Sequence, residues 1–212
     1  MSVRRKTAAL AVFSAMAVSA VGLAPAAAAA PGDNSLASVL TAEPAAFDDE
    51  ASDYDVLTAA VLAVLKAKPD SNVTVLTDGT VELTAFLPTD RAFGSLVDSL
   101  TGTSPDTEEA TFDAVAGLGI DTVETVLLYH VVPGAAVDAG AVLDSDGTAL
   151  KTAAGPRVNV DVRSDTNISL IDKDRNARNA RVVLEQTDIN EGNKQLAHGI
   201  DRVLRPADLP AA

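Results

Sequence analysis

The chain has no cysteine and no tryptophan, and only two tyrosines and two histidines in 212 residues. Without cysteine, no disulfide braces the fold, no thiol serves as nucleophile or metal ligand, and no lipobox can take a lipid. Two histidines alone leave a zinc site short of its usual donors, so no metal is expected. The scarcity of flat aromatic faces argues against a sugar-stacking platform. Basic residues are also few: 16 Lys and Arg stand against 30 Asp and Glu, a formal net charge of −14. Such a surface repels phosphate backbones and anionic lipid, which removes nucleic acid and membrane surfaces from the expected partners. No Gly-x-Ser-x-Gly motif occurs to complete a catalytic triad; no catalytic residue is expected, and no cofactor.

What the chain does have begins at its N-terminus. Arg4, Arg5 and Lys6 precede an uncharged run, 7–24, rich in Ala, Val and Leu. Small residues follow from Ala26 to Ala30, and Pro31 and Gly32 end the apolar character. Basic region, apolar region and Ala-x-Ala site, in that order, predict a secretory signal peptide over residues 1–30, cleaved near Ala28 or Ala30. The run is borderline for the ~20 residues of a membrane span, and no stop-transfer charges follow it. Its retention would tether the domain; cleavage releases it. The Arg4-Arg5 pair is compatible with the twin-arginine route as well as the general one, and the Ala-rich leader fits a bacterial source. Removing thirty residues leaves 182, with 13 basic against 30 acidic side chains and a net charge of −17. That length suits one domain with a core large enough to need no staples. The expectation is a secreted, extracellular, acidic monomer without a stable membrane anchor.

Periodicity outlines the elements. Residues 31–52 read as a partly helical lead-in, with Asp48, Asp49 and Glu50 as a solvated acidic run. Four helices follow. Ser52 is the expected cap of the first, whose face is Leu57, Val61, Val64 and Leu65. The second starts near Asp90, buries Phe93, Leu96, Val97 and Leu100, and stops at Gly102. The third is expected to be capped by Ser104 with Pro105 next. The fourth has Asp121 and Glu124 at capping-box spacing, and aligns Val123, Val126, Leu127 and His130. The second half alternates with period two: Val158, Val160 and Val162, then Ile168 and Leu170, then a strand over 181–186, then Leu196, His198 and Ile200. Asp78-Gly79 and Asp146-Gly147 are hairpin-type turn dipeptides, and 73–76 is expected to pair with 81–87 across the first. Helices first and strands later predict an α+β fold. Residues 207–212 read as an extended tail.

Three segments carry a resemblance: Thr84-Ala85-Phe86-Leu87-Pro88-Thr89-Asp90-Arg91-Ala92-Phe93, Leu127-Leu128-Tyr129-His130-Val131-Val132-Pro133-Gly134, and Ala197-His198-Gly199-Ile200-Asp201-Arg202-Val203-Leu204-Arg205-Pro206. In this order and spacing they resemble the fasciclin domain, the first and third its boundary motifs and the middle one its Tyr-His motif. The domain is placed at 53–206, with the resemblance reaching back towards Ser35. Leu87 stands where Ala is usual, Asp90 where Asn is usual, Asn193-Lys194-Gln195 replaces an Asn-Gly turn, and 77–83 looks like an added hairpin. The resemblance implies a β-sheet wedge or sandwich with helices packed around it. It also implies a non-catalytic adhesion module meeting an extracellular protein or a cell-wall or matrix component. The alternative is a small-molecule or lipid carrier with an apolar groove.

Candidate contact residues are few. Helical spacing puts His130 on the apolar face, where a lone histidine is usually held by backbone partners; Tyr129, one position round, is expected to be half exposed. The resemblance implicates both in adhesion, and an Asp-Ile pair at the place of Asp188 and Ile189 in partner binding. Thr89, Asp90, Phe93, His198 and Asp201 are assigned structural roles, the last two as a polar clasp on the final strand. Asp172-Lys173-Asp174-Arg175-Asn176 opens like a calcium loop, but Ala177 and Val183 occupy the positions that need Gly and Glu. It reads as a charged turn, with Arg175, Arg178 and Arg181 the most basic patch on an acidic protein. Asn72 and Asn167 begin glycosylation sequons.

Overall fold

The computed structural model describes residues 30–42, 47–48 and 50–207. The signal peptide expected over 1–30 lies outside these residues apart from Ala30, and the expected tail 207–212 apart from Ala207.

The architecture is built on β1 (Leu83–Pro88) and β7 (Gln195–Ile200), which pair in parallel over six residues each. All twelve residues are buried, so the strands are covered on both faces. β2 (Val131–Pro133) runs antiparallel on the other edge of β1, giving the order β2-β1-β7. A second, antiparallel sheet holds β3 (Ala149–Lys151), β4 (Arg157–Ser164), β5 (Asn167–Ile171) and β6 (Ala180–Arg181) in sequence order. Side chains alternate along a strand. Leu83, Ala85 and Leu87 therefore join one core with the helices, while Phe86 joins another with Val158, Val160, Ile168 and Leu170 of the second sheet. The result is helices, mixed sheet and antiparallel sheet in three layers, the α+β sandwich expected from the sequence.

The helical layer contains α2 (Asp55–Ala67), α3 (Asp90–Thr101), α4 (Glu108–Ala116) and α5 (Ile120–Tyr129). The short α1 (Leu36–Leu40) precedes them, and α6 (Ala139–Leu143) leads into the second sheet. α3 follows its sequence signals: Thr89 accepts from the Ala92 N–H, Phe93, Leu96 and Val97 are buried, and Gly102 ends the helix at φ 71°. That left-handed conformation favours glycine.

Three expected caps are corrected. Thr107, not Ser104, caps α4 through the Ala110 N–H at 3.1 Å. Ser52 does not cap α2, whose first N–H groups are met by a residue far along the chain, as described below. Asp121 and Glu124 do not form a capping box. α5 starts at Gly119 without a side-chain cap, and both acids reach Lys68, Asp121 at 2.6 Å. Long-range partners have displaced local ones in the last two cases.

Two expected strands are also corrected. Residues 72–77 form a 3-10 helix capped by Ser71, not a strand paired with β1. The turn after it is tucked beneath the lead-in: a Cβ on Gly79 would lie 1.8 Å from the Asp33 carbonyl oxygen, so no side chain fits there. The strand expected over 181–186 is shorter. Val182 donates to the Ile168 carbonyl of β5 and also bridges to Ile200, which carries the chain from one sheet to the other before a 3-10 helix over Leu184–Gln186.

Gln195 binds these parts together. Fully buried, it accepts from the Leu36 N–H at 2.8 Å and donates to the Val75 and Asp78 carbonyls, each at 2.8 Å. It thus fixes α1 and the 3-10 helix to the end of β7. Gln195→Leu removes all three bonds and strands buried polar groups, each costing ~1–3 kcal/mol with partial relaxation. We expect a loss of about 2–4 kcal/mol in urea unfolding, with faster amide exchange at Leu36; an unchanged midpoint would disprove the role.

Candidate functional site

The Tyr-His segment closes α5. His130 is buried at the helix C-cap. Its Nδ1 lies 2.7 Å from the Val126 carbonyl and its Nε2 accepts from the Leu204 N–H at 2.8 Å. This fixes one neutral tautomer, with the proton on Nδ1. Burial pushes its pKa down to about 4. Tyr129 is not half exposed: its exposure is 0%, because it turns into the core between the sheets, where its Oη donates to the Arg157 carbonyl at 3.2 Å.

His198 is equally engaged. Its Nε2 lies 2.8 Å from the Val137 carbonyl, and its Nδ1 accepts from the Asp188 N–H at 3.3 Å. Burial lowers its pKa. Asp188 sits in the left-handed region at φ 55° and its Oδ1 accepts from the Ala139 N–H at the start of α6. Ile189 forms a bridge with Ala197 and is partly buried. Asp201 accepts from the Arg181 N–H at 2.7 Å, and its own N–H donates to the Arg181 carbonyl. His198 and Asp201 thus clasp different partners and do not form a base and orienter.

A groove of about 490 Å³ opens beside Ile189. Val39, Leu40, Leu87 and Ile189 give it an apolar floor, and Tyr54 and Gln186 form a wall. Tyr54 Oη lies 3.1 Å from Gln186 Oε1, and both press on Gly199, where a Cβ would meet each at 2.6 Å. The glycine of the third motif is therefore a close-approach residue.

At one end of this groove the first N–H groups of α2 and α3 meet. Asp90, the first residue of α3, accepts from the Asp55 and Val56 N–H groups at 3.0 and 2.9 Å. In return, the Asp90 and Arg91 N–H groups donate to the Asp53 and Ala51 carbonyls. Glu108, first in α4, accepts from the Asp48 N–H at 2.8 Å. Positive helix ends and unpaired N–H groups hold this acidic cluster together. Among the described residues no lysine or arginine pairs with it. Asp53, Asp90 and Glu108 bring carboxylate oxygens within 4.8 Å, as do Asp48, Asp55 and Glu108. By geometry either trio can hold a hard cation, though both Asp90 oxygens already serve α2.

The cluster favours protonation. Burial, then a hydrogen bond with Asp53, push Asp90 up to about 8. Asp53 Oδ1 is buried with no hydrogen-bond partner among the described residues, so a proton on Asp90 would supply the donor it lacks. Burial raises Glu108 and Asp55 too, and burial with the nearby Asp90 and Asp53 charges raises Tyr54. Sequence reasoning missed Asp53, Tyr54, Gln186 and Gln195; a glutamine in a strand flanked by apolar residues was the available sign for the last.

With these features in view, the molecule is an α+β module whose conspicuous polar side chains secure its own backbone. The Fasciclin domain profile matches residues 56–206, spanning all three motif segments. The chain belongs to the fasciclin domain family, whose members are generally non-catalytic adhesion modules and typically extracellular. Among solved structures it is similar to a FAS1 domain pair from the insect cell adhesion molecule fasciclin I, at 16% identity, covering 66% of this chain and 49% of that one, with a TM-score of 0.44. The chain thus spans about half of that domain pair. No curated protein matches it.

Two predictions follow from this geometry. A protonated Asp90 resembles Asn in being neutral and able to donate to Asp53, although Asn keeps only one of the two oxygens that accept from α2. Asp90 is raised in the folded state, so the native chain binds its proton more tightly than the unfolded chain, and its contribution to stability falls as pH rises from about 4 to about 8. Asp90→Asn removes that loss. Its melting temperature relative to wild type should rise by a few degrees across this range, and a pH-independent difference would refute the shared proton. His130 has the opposite sign. Its depressed pKa means the unfolded chain takes up a proton first, so this contribution is lost as pH falls from about 6.5 to about 4. His130→Gln should flatten the wild-type decline in melting temperature over that interval.

Proposed function

We propose that the chain is a secreted, non-catalytic interaction module of adhesion type that meets a cell-surface, cell-wall or matrix partner. The observation that carries this reading is the state of its two histidines, both with two ring nitrogens engaged by backbone. Neither is free to act as a general base, which must reach a substrate proton. In this reading Tyr129 and His130 support adhesion through folding, and Asp188 and Ile189 form the contact edge beside the groove.

The test is retention of the processed chain on cell-wall, matrix and surface fractions from its own culture. Saturable retention is expected. Tyr129→Phe should cost about 0.5–1.5 kcal/mol of stability and leave retention unchanged, whereas Ile189→Asp should reduce retention while the fold persists. Absence of saturable retention on every fraction would reject the reading.

The apolar groove favours a second reading, an extracellular carrier of a small molecule or lipid. Its volume lies within the roughly 300–1,000 Å³ typical of small-ligand sites. Native mass spectrometry after gentle purification should then show a bound mass, which Leu40→Asp, at a partly buried position of the groove, should abolish.

A further inference from the structure

The chain carries a second pocket, of about 290 Å³, on the outward-facing residues of β4, β5 and β6. Arg163, Arg178, Arg181 and Arg202 all line it. Only 13 basic residues follow the leader, against 30 acidic, so four arginines in one small pocket run against the composition. Their charges are also incompletely offset. Arg163 pairs with Asp161 at 2.9 Å. Among the described residues, Arg178, Arg181 and Arg202 form no ion pair, although any surface carboxylate of this acidic chain was available to evolution. The other acid in the pocket, Asp201, is turned to the Arg181 backbone.

We propose that this pocket binds an anionic saccharide, with its oxyanion on Arg178, Arg181 and Arg202 and its hydroxyls on Asn167, Ser169 and Asn179. Three observations define that chemistry. The guanidinium fork matches carboxylate, phosphate and sulfate oxygens in pairs. The remaining lining residues, Asn167, Ser169 and Asn179, offer amide and hydroxyl groups that suit neutral hydroxyls, so the ligand is an oxyanion on a hydroxylated carrier. The volume is near the lower limit for a small-ligand site, and suits a sugar unit better than a folded partner. The pocket holds no aromatic ring, so recognition depends on the charge rather than on stacking. The local positive field draws the ligand to one place on a surface that repels anions elsewhere. The inference gives the matrix or wall partner a chemistry, and rests on the proposed function only for the ligand's source.

Chemical-shift titration of the processed, isotope-labelled chain tests it with purified sugars, independently of any adhesion assay. Glucose 6-phosphate or glucuronate should shift amides of β4, β5, β6 and residues 201–202, more weakly as salt is raised; glucose should not. Whichever charged sugar binds identifies the phosphate or carboxylate source. Arg178→Gln with Arg181→Gln, both at exposed positions, should weaken binding at least tenfold while the spectrum stays folded; Lys66→Gln should leave it unchanged. The proposal is overturned if neither charged sugar shifts these amides, if glucose or inorganic phosphate binds as tightly as the charged sugars, or if phosphatidylserine vesicles bind through these arginines and sugars do not.

Discussion

The parallel pairing of β1 with β7 is the constraint on which the rest depends. The two strands lie more than a hundred residues apart, and both are covered on both faces. A parallel pair needs a crossover connection, and here residues 89–194, with α3 to α6 and the whole second sheet, form it. Strands buried on both faces must also satisfy every polar side chain they contain without water. Thr84, Gln195 and His198 meet that demand in one way: each bonds to backbone outside the sheet. Thr84 holds residues 135 and 137, Gln195 holds 36, 75 and 78, and His198 holds 137 and 188. What would otherwise be a desolvation penalty becomes the fastening of α1, the 3-10 helix and its turn, and the segments at 135–137 and 188.

His130 extends the same logic to the chain's return. By joining the last turn of α5 to the Leu204 N–H, it fixes where the segment after β7 runs. The next residue, Arg205, then reaches Asp174 at 2.8 Å and Ser99 at 2.5 Å. Asp174 and Arg205 are 2% and 11% exposed at their side chains. A buried ion pair gives little net stability, since desolvation offsets attraction, but removing one partner costs about 3–5 kcal/mol. Its effect is to make the position of the 172–176 loop specific. Burial pushes Asp174 up, yet the Asn176 N–H and the Arg205 guanidinium outweigh it and hold the carboxylate below its usual range.

Much of this architecture was legible in the sequence. α3 was readable at both ends because its cap, apolar face and terminal glycine are all local signals. The alternation in β4 and β5 was readable because one face is buried and the other wet. The errors arose where distant residues take over local work. Ser52 is a plausible cap by sequence, but Asp90 arrives first in space. Val73 to Leu76 is apolar enough for a strand, but Ser71 and the close packing of Gly79 on Asp33 make a 3-10 turn. Tyr129 was read one step round a helix from the buried face. It lies where α5 ends against the second sheet, so both sides are covered. The acidic cluster was the least legible feature, because its members come from four separate stretches and meet only when three helix N-termini converge.

The state of the buried acids and histidines limits where recognition can occur. Burial pushes Asp90 up to about 8 and His130 down to about 4. The two departures have opposite signs but one physical origin, the cost of a charge away from water. Between these limits neither adds formal charge to the interior, where the Arg205–Asp174 pair sums to zero. The chain's net charge is then carried by its surface, and a charged partner reads the surface pattern and not the core. On that surface most acids are dispersed or gathered at helix ends, where N–H groups stabilise them. Among the described residues Arg178, Arg181 and Arg202 beside the second sheet form no ion pair, and so their charge remains directed outward.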